Sequence, residues 1–210
     1  MGRLEGHPAG LHGRALPAVV TRRIDVLVPT VPAVVLGSTQ PVPATGSTGL
    51  DVVRRRSGGG AVLVSPEDPV WIDLDLPVGD PLWSDDVGRS FLWLGRTWVA
   101  ALAILGVEGE AHAGAFEPGR WGRTVCFAGR GPGEVFVGGA KVVGLAQRRT
   151  RAGARFQCAV LRHWEPGPLI EAVVTATERE AARAELADVA RGVSVEPPDL
   201  IDAFLAAVGA

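Results

Sequence analysis

The chain has 210 residues, 47% hydrophobic and 21% charged, with a formal net charge of −2. That length suits one good-sized domain with a real core, or one domain plus a small appendage, and the balance excludes a disordered chain. The near-neutral charge excludes a global basic footprint for nucleic acid, so any anion site must be local.

In chain order, residues 1–20 are rich in Gly, Pro and Ala and read as a loosely ordered lead-in to one domain over 21–210. They lack the apolar core of a secretory signal. Arg23–Val28 and Ala33–Gly37, bounded by prolines, read as strands. A polar loop over 37–49 precedes strand candidates at Asp51–Arg56 and Gly60–Ser65. Trp71–Leu76 alternates apolar and acidic residues, which suits a strand with one wet face. A helix is expected from near Ser84, with Ser84 as N-cap and Asp85 and Asp86 in the first turn. Phe91, Leu94, Trp98, Leu102 and Leu105 repeat at helical spacing as a core stripe, and Gly106 is a natural stop. The longest apolar run, Trp98–Val107, is too short to span a bilayer, so no membrane partner is expected.

Further β-type segments are expected at Thr124–Ala128, Glu134–Val137, Val142–Gln147 and Ala154–Arg162. Thr177 and Glu180 form a capping box ahead of a helical run. Pro197-Pro198 breaks that run, and the stretch DLIDAFLAAVG makes a last short helix. Strands gathered around one long helix, with helices at the end, predict an α+β fold with a mixed, largely antiparallel sheet flanked by helices. Cys126 and Cys158, without a CxxC, fit reduced structural thiols in a cytoplasmic protein and neither a zinc ribbon nor a disulfide scaffold. The four histidines are scattered without metal-ligand spacing.

Two stretches set cations against glycines. In VVRRRSGGGAVLV, residues 52–64, glycines permit positive φ and close approach of a ligand. Successive free N–H groups there can form an anion nest, and arginines supply forked donors for phosphate or carboxylate. Strand alternation sends Arg54 and Arg56 to one face and Arg55 to the other, so the three cannot share one job. A plain glycine hairpin with surface arginines is the alternative. In GRGPGEVFVGGAKVVGLAQRR, residues 129–149, Lys141 stands in a mostly apolar, glycine-bordered strand. Burying an unpaired charge is costly, so Lys141 is expected to meet an anion or a carbonyl, unless its stem alone is buried. The GxxxxGK[ST] spacing of a Walker A loop and a strand–GxGxxG–helix fingerprint are both absent.

Together with PAVVLGSTQ upstream, these two stretches resemble the lipoate-protein ligase A family, within the wider group of biotin and lipoate ligases and octanoyltransferases. The three pieces keep the family's order across roughly residues 25–165. The resemblance implies a sheet-and-helix fold related to class II aminoacyl-tRNA synthetases and biotin ligases. It implies an enzyme that activates lipoate or octanoate with ATP to an acyl-adenylate, with Mg²⁺ accompanying the ATP. The acyl group would then pass to a lysine of a lipoyl domain, from a 2-oxoacid dehydrogenase or a glycine-cleavage H-type protein. Carried over, the family's motif makes Lys141 catalytic. It makes Arg54, Arg55, Ser57, Gly58, Gly59, Gly60, Ala61, Gly144 and Ala146 the substrate- and adenylate-binding positions, with Gln147 just beyond. Val62, Val142 and Val143 are expected to wall the acyl chain.

The family's usual His-Asp pair after the glycine loop reads Val64-Ser65, and its Asn-Asp pair reads Gly133-Glu134. A separate C-terminal accessory domain has no room in this length, and a monomer is compatible with the pattern. Two other functions stay open: an ATP-independent octanoyl or lipoyl transferase working through a cysteine, for which Cys126 and Cys158 are the candidates, and a non-catalytic acyl- or adenylate-binding homologue.

Overall fold

The computed structural model describes residues 1–43 and 49–209, so residues 44–48 of the expected polar loop lie outside the described residues. Among the described residues the strands are β1 (Gly2–Gly6), β2 (Arg23–Pro29), β3 (Ala33–Leu36), β4 (Asp51–Arg54), β5 (Val62–Val64), β6 (Val70–Pro77), β7 (Glu110–Ala111), β8 (Val135–Val137), β9 (Ala140–Arg149) and β10 (Gly153–Val160). The helices are α1 (Pro8–His12), α2 (Leu92–Ile104), α3 (Gly167–Val173), α4 (Arg179–Leu186) and α5 (Pro197–Val208). Seven strands form one sheet in the order β1-β2-β6-β10-β9-β8-β7, antiparallel except for the parallel β1–β2 edge. A smaller sheet, β4-β3-β5, pairs β3 with β4 in parallel and with β5 in antiparallel fashion. This is the expected α+β architecture with a mixed, largely antiparallel sheet.

Strand periodicity sorts the layers. On β6, Ile72, Leu74 and Leu76 face the core made with α2 and α5, where Leu94, Trp98, Leu102 and Phe204 are fully buried. Trp98 stacks on Phe204 with ring centroids 4.4 Å apart. The opposite face of the large sheet meets the small sheet through Leu27, Trp71, Ala159, Val35 and Val62. The far face of the small sheet is covered by α3 and α4 through Val34, Leu36, Leu169, Ile170 and Leu186. Among the described residues, no helix is long and apolar enough to cross a membrane.

Five expectations need correction. The lead-in is not loose over 2–12: it supplies β1, an edge strand held by backbone pairing to β2, and α1, which opens with Pro8 in its first turn and His7 accepting from Ala9 N at 3.3 Å. The acidic face of β6 is not wet. Asp73 and Asp75 are buried, and Arg155 grips Asp75 with two bonds of 2.7 Å while Arg14 donates to Asp73 at 2.7 Å. Pairing and hydrogen bonding make such burial tolerable.

Ser84 does not cap α2. A 3₁₀ turn at Arg89–Phe91 precedes the helix, and Asp86 Oδ1 accepts from Arg89 N at 3.0 Å. Arg149 stacks on Trp83 at 4.3 Å and binds the carbonyls of Ser84 and Asp85, which keeps that segment out of the helix. Finally, Thr177 and Glu180 form no capping box: Thr175 Oγ1 donates to Glu178 at 2.7 Å instead, and residues 126–128 are a 3₁₀ turn rather than a strand.

α1 carries a pH-sensitive group. His12 is buried edge-on against Trp71, at 4.5 Å, and neither ring nitrogen has a partner. Burial, with Arg55 and Arg14 nearby, holds its pKa down at about 3. The unfolded chain takes up this proton near pH 6.5 and the folded chain does not, so His12's contribution to stability is intact above that pH and lost as pH falls from 6.5 toward 3. The limiting slope is about 1.4 kcal/mol per pH unit. Asp68 and Asp73, whose carboxyls burial pushes up, contribute with the opposite sign. Urea titrations of wild type and His12→Phe between pH 7 and 5 isolate the term: the variant should lose less stability on acidification.

Candidate active site

The glycine loop follows β4 because the chain must leave the small sheet and cross to the large one. Arg55 N donates to Leu36 O at 2.9 Å and Ser57 O accepts from Ser38 N at 2.9 Å, which ties the loop to the end of β3. Gly59 has φ +98°, and a Cβ on Gly37 would lie 2.0 Å from Gly59 O, so the two backbones touch in a way no side chain permits. Ala61 exchanges bonds with the 124–126 segment, its N–H to Thr124 O at 2.8 Å and its carbonyl from Cys126 N at 3.0 Å. The amides of Gly58, Gly59 and Gly60 donate to no group among the described residues.

The three arginines divide as alternation requires. Arg54 is exposed and clasps the carbonyls of Gly37 at 2.9 Å and Gln40 at 2.6 Å. Gln40, the glutamine of PAVVLGSTQ, in turn donates to Thr124 O at 3.0 Å. Arg56 reaches Gly13 O at 2.7 Å. Arg55 is 1% exposed and points inward, donating to Ser57 Oγ and to the carbonyls of Val35, Gly58 and Gly60. Burial without a carboxylate partner pulls its guanidinium pKa down. Ser57 Oγ passes the network on to Gln157 at 2.5 Å, and Gln157 to Asp73 at 3.2 Å.

Lys141 lies on β9. It is the only lysine in a chain with twenty arginines, and it is fully buried. Its Nζ lies 2.6 Å from Glu134 Oε2, donates to Cys126 O at 2.9 Å, and sits 5.7 and 6.0 Å from the rings of Phe127 and Phe136. The expected anion and carbonyl partners are thus both present. Cys126 also touches the loop on its N–H side, since a Cβ on Gly60 would lie 2.6 Å from Cys126 N.

A cavity of about 420 Å³ opens here. Gly58, Gly59 and Gly60 line it together with Glu134, Ala146, Gln147 and Arg149. Phe91, Phe116, Val87 and Leu145 make most of the rest apolar. Of the expected site residues, the three loop glycines and Ala146 line this cavity. Lys141 sits just behind Glu134. Arg54, Arg55, Ser57 and Ala61 support the loop from outside the cavity, and Gly144 leaves room for the Phe127 ring, which a Cβ would approach to 3.2 Å. Val62, Val142 and Val143 do not wall the cavity, for they point into the cores.

Glu134 and Gln157 carry partners that spacing alone did not assign; the lone lysine amid arginines was the available sign for Glu134, since a buried ammonium needs a carboxylate. Among the described residues, no group of three or more His, Cys, Asp or Glu stands where it would hold a metal ion. Glu134, the one carboxylate of the cavity wall, is already bonded to Lys141, Gly131 and Leu145, so this donor set does not fit a protein-held Mg²⁺. Both thiols are poor nucleophiles: burial pushes Cys158 up to about 12 and raises Cys126 as well.

A family model described as the lipoyl protein ligase A/B catalytic domain matches residues 20–197. A search of curated proteins found no sequence match. Among solved structures, a lipoate-protein ligase A bound with ATP is similar at 18% identity and TM-score 0.66, covering 90% of this chain and 72% of that one. A bipartite lipoate-protein ligase with its E2 lipoyl domain, from Thermoplasma acidophilum, is similar at 15% identity and TM-score 0.72, covering 99% and 81%. A further Thermoplasma acidophilum structure with bound lipoic acid is similar at 17% identity and TM-score 0.68, covering 99% and 84%.

Proposed function

The chain belongs to the lipoyl protein ligase A/B catalytic-domain family, and from that premise we propose that it is a lipoate-protein ligase that activates lipoate or octanoate with ATP and acylates a lysine of a lipoyl domain. One observation carries the reading. The amides of Gly58–Gly60, which have no acceptor among the described residues, line one apolar cavity, and Cys126 links that loop to Lys141, packing its N–H side against Gly60 and giving its carbonyl to the ammonium.

The apolar walls hold the hydrocarbon chain, and its carboxylate lies at the polar end of the cavity, toward Glu134 and Lys141. In the first half-reaction a carboxylate oxygen attacks the α-phosphorus of ATP and pyrophosphate leaves. Negative charge grows on the phosphoryl oxygens, where the loop amides and the Lys141 ammonium stabilise it in a water-poor setting. In the second, the amine of the acceptor lysine attacks the acyl carbon, an amide forms, and AMP leaves. Lipoyl domains are the acceptors under this reading. The cytoplasm, which suits two unpaired thiols, is the place of work. Magnesium, where it accompanies ATP, is left to the phosphates and water, and no step is routed through it.

The test is a mass measurement on a lipoyl domain incubated with the protein and octanoate, with and without ATP. An ATP-dependent gain of one octanoyl group is expected; no gain with ATP, or an equal gain without it, overturns the reading. Because Lys141 is the only lysine and is buried, the enzyme's own mass should not change. A thioester route is tested alongside. The double variant Cys126→Ser, Cys158→Ala should keep at least about half the wild-type transfer rate, consistent with thiols that stay protonated at pH 7. Loss of transfer in a folded double variant would point to a cysteine transferase.

A further inference from the structure

Glu134 stands between Lys141 and the cavity. Its Oε2 lies 2.6 Å from Lys141 Nζ and accepts from Gly131 N at 2.6 Å, while Oε1 accepts from Leu145 N at 3.3 Å. Glu134 lines the cavity and Lys141 does not, with side chains 6% and 1% exposed. A molecule entering the cavity therefore meets a carboxylate that already holds the donors an acid would need. The pair also cancels its own charge, so it offers an incoming anion no net cation while it is closed.

We infer that Glu134 is an internal stand-in for the substrate's carboxylate and that acid binding is an exchange. The incoming carboxylate takes over Lys141 Nζ and the amides of Gly131 and Leu145, and Glu134 swings toward the open side of the cavity. This deepens the acyl-site reading above and rests on it. Swapping one carboxylate for another keeps the buried ammonium paired throughout. An empty floor would leave it unpaired, and a second carboxylate would crowd like charges together. Glycines on either side of Pro132, including Gly133 at φ +78°, give the segment that carries Glu134 its turn. The exchange also makes Glu134 a specificity-determining residue. An amide or alcohol of the same chain length enters the apolar walls but cannot replace the charge, so it leaves Glu134 in place.

The single lysine makes this measurable, because protein labelled with ¹⁵N-lysine carries one Nζ resonance. In wild type, octanoate should move that resonance at saturation and octanamide should not. In Glu134→Gln, where Lys141 lacks its counter-ion, octanoate should bind on the order of tenfold tighter than to wild type and raise the melting temperature more, because it restores the missing partner. Octanamide should bind both proteins alike. Equal or weaker octanoate binding in Glu134→Gln overturns the exchange, as does absence of octanoate binding to wild type. If Glu134→Gln does not fold, an Nζ resonance unmoved by saturating octanoate in wild type overturns it alone. An exchange seen without acylation of a lipoyl domain sinks the ligase reading and spares this one; acylation without the Glu134 effect does the reverse.

Discussion

Lys141→Met is expected to reduce ATP–pyrophosphate exchange by about a thousandfold, the scale of losing a preorganised group aimed at developing charge. The same change strands Glu134 as a buried carboxylate without its cation, a loss on the order of 3–5 kcal/mol. Activity could then fall merely because the protein melts. The double variant Lys141→Met, Glu134→Gln separates the two effects. Removing both charges together leaves no uncompensated ion, and replacing a buried pair in this way is often close to neutral. Its stability in urea should return to within about 2 kcal/mol of wild type, while exchange stays at the level of the single variant. Recovery of exchange along with stability would show that Lys141 matters only as a structural cation. Lys141→Arg should not rescue either quantity. The slot between Phe127 and Phe136 holds a compact ammonium at full burial, and a planar guanidinium must force those rings apart.

What could be read in advance followed from local rules. Period-two runs located β2, β3, β6 and β10, and the 3.6-residue stripe Phe91–Leu105 located the body of α2, because burial on one face leaves those patterns in the residues themselves. The glycine loop and Lys141 were legible for a related reason: a charge or a bare backbone inside an apolar frame has few explanations. What escaped depended on partners far along the chain. The acids of β6 look wet until Arg155 and Arg14 arrive from a hairpin strand and the lead-in. The lead-in looks loose until β2 offers it an edge. Arg55 looks like a ligand-binding residue because its neighbours are glycines. Its actual targets, Val35 O and Gly60 O, belong to strands and loops whose placement no spacing rule gives. The same holds for the apolar walls. Val142 and Val143 are the right kind of residue near Lys141, but the register of β9 turns them to the cores and brings Leu145 to the cavity instead, where Phe91 joins it from the 3₁₀ turn before α2.

That difference yields the second large effect, which falls on stability. Arg55→Ala should destabilise the protein by about 3–4 kcal/mol, and Arg54→Ala by about 1 kcal/mol or less. Arg55 spends its guanidinium on Ser57 Oγ at 3.0 Å and on three carbonyls at 3.1, 2.7 and 2.9 Å, all away from bulk water. Truncation leaves those carbonyls facing a cavity, and each buried acceptor without a partner costs about 1–3 kcal/mol. Part of that is recovered, because the arginine itself is buried without a counter-ion and burial already opposes its charge. For a domain of this size the remainder corresponds to a melting temperature lower by roughly 10 °C. Arg54 makes its carbonyl bonds at the exposed rim, where water replaces them. Arg55→Lys should recover only a fraction, since a single ammonium cannot span both Val35 O and Gly60 O as the fork does. The loop amides should lose their alignment with it, so octanoate binding weakens in Arg55→Ala well below the melting temperature, whereas it survives in Arg54→Ala. Thermal unfolding and octanoate titration of the two variants side by side decide the matter. Equal and small effects at both positions would mean that Arg55 faces solvent and that the glycine loop is held by something other than the buried guanidinium.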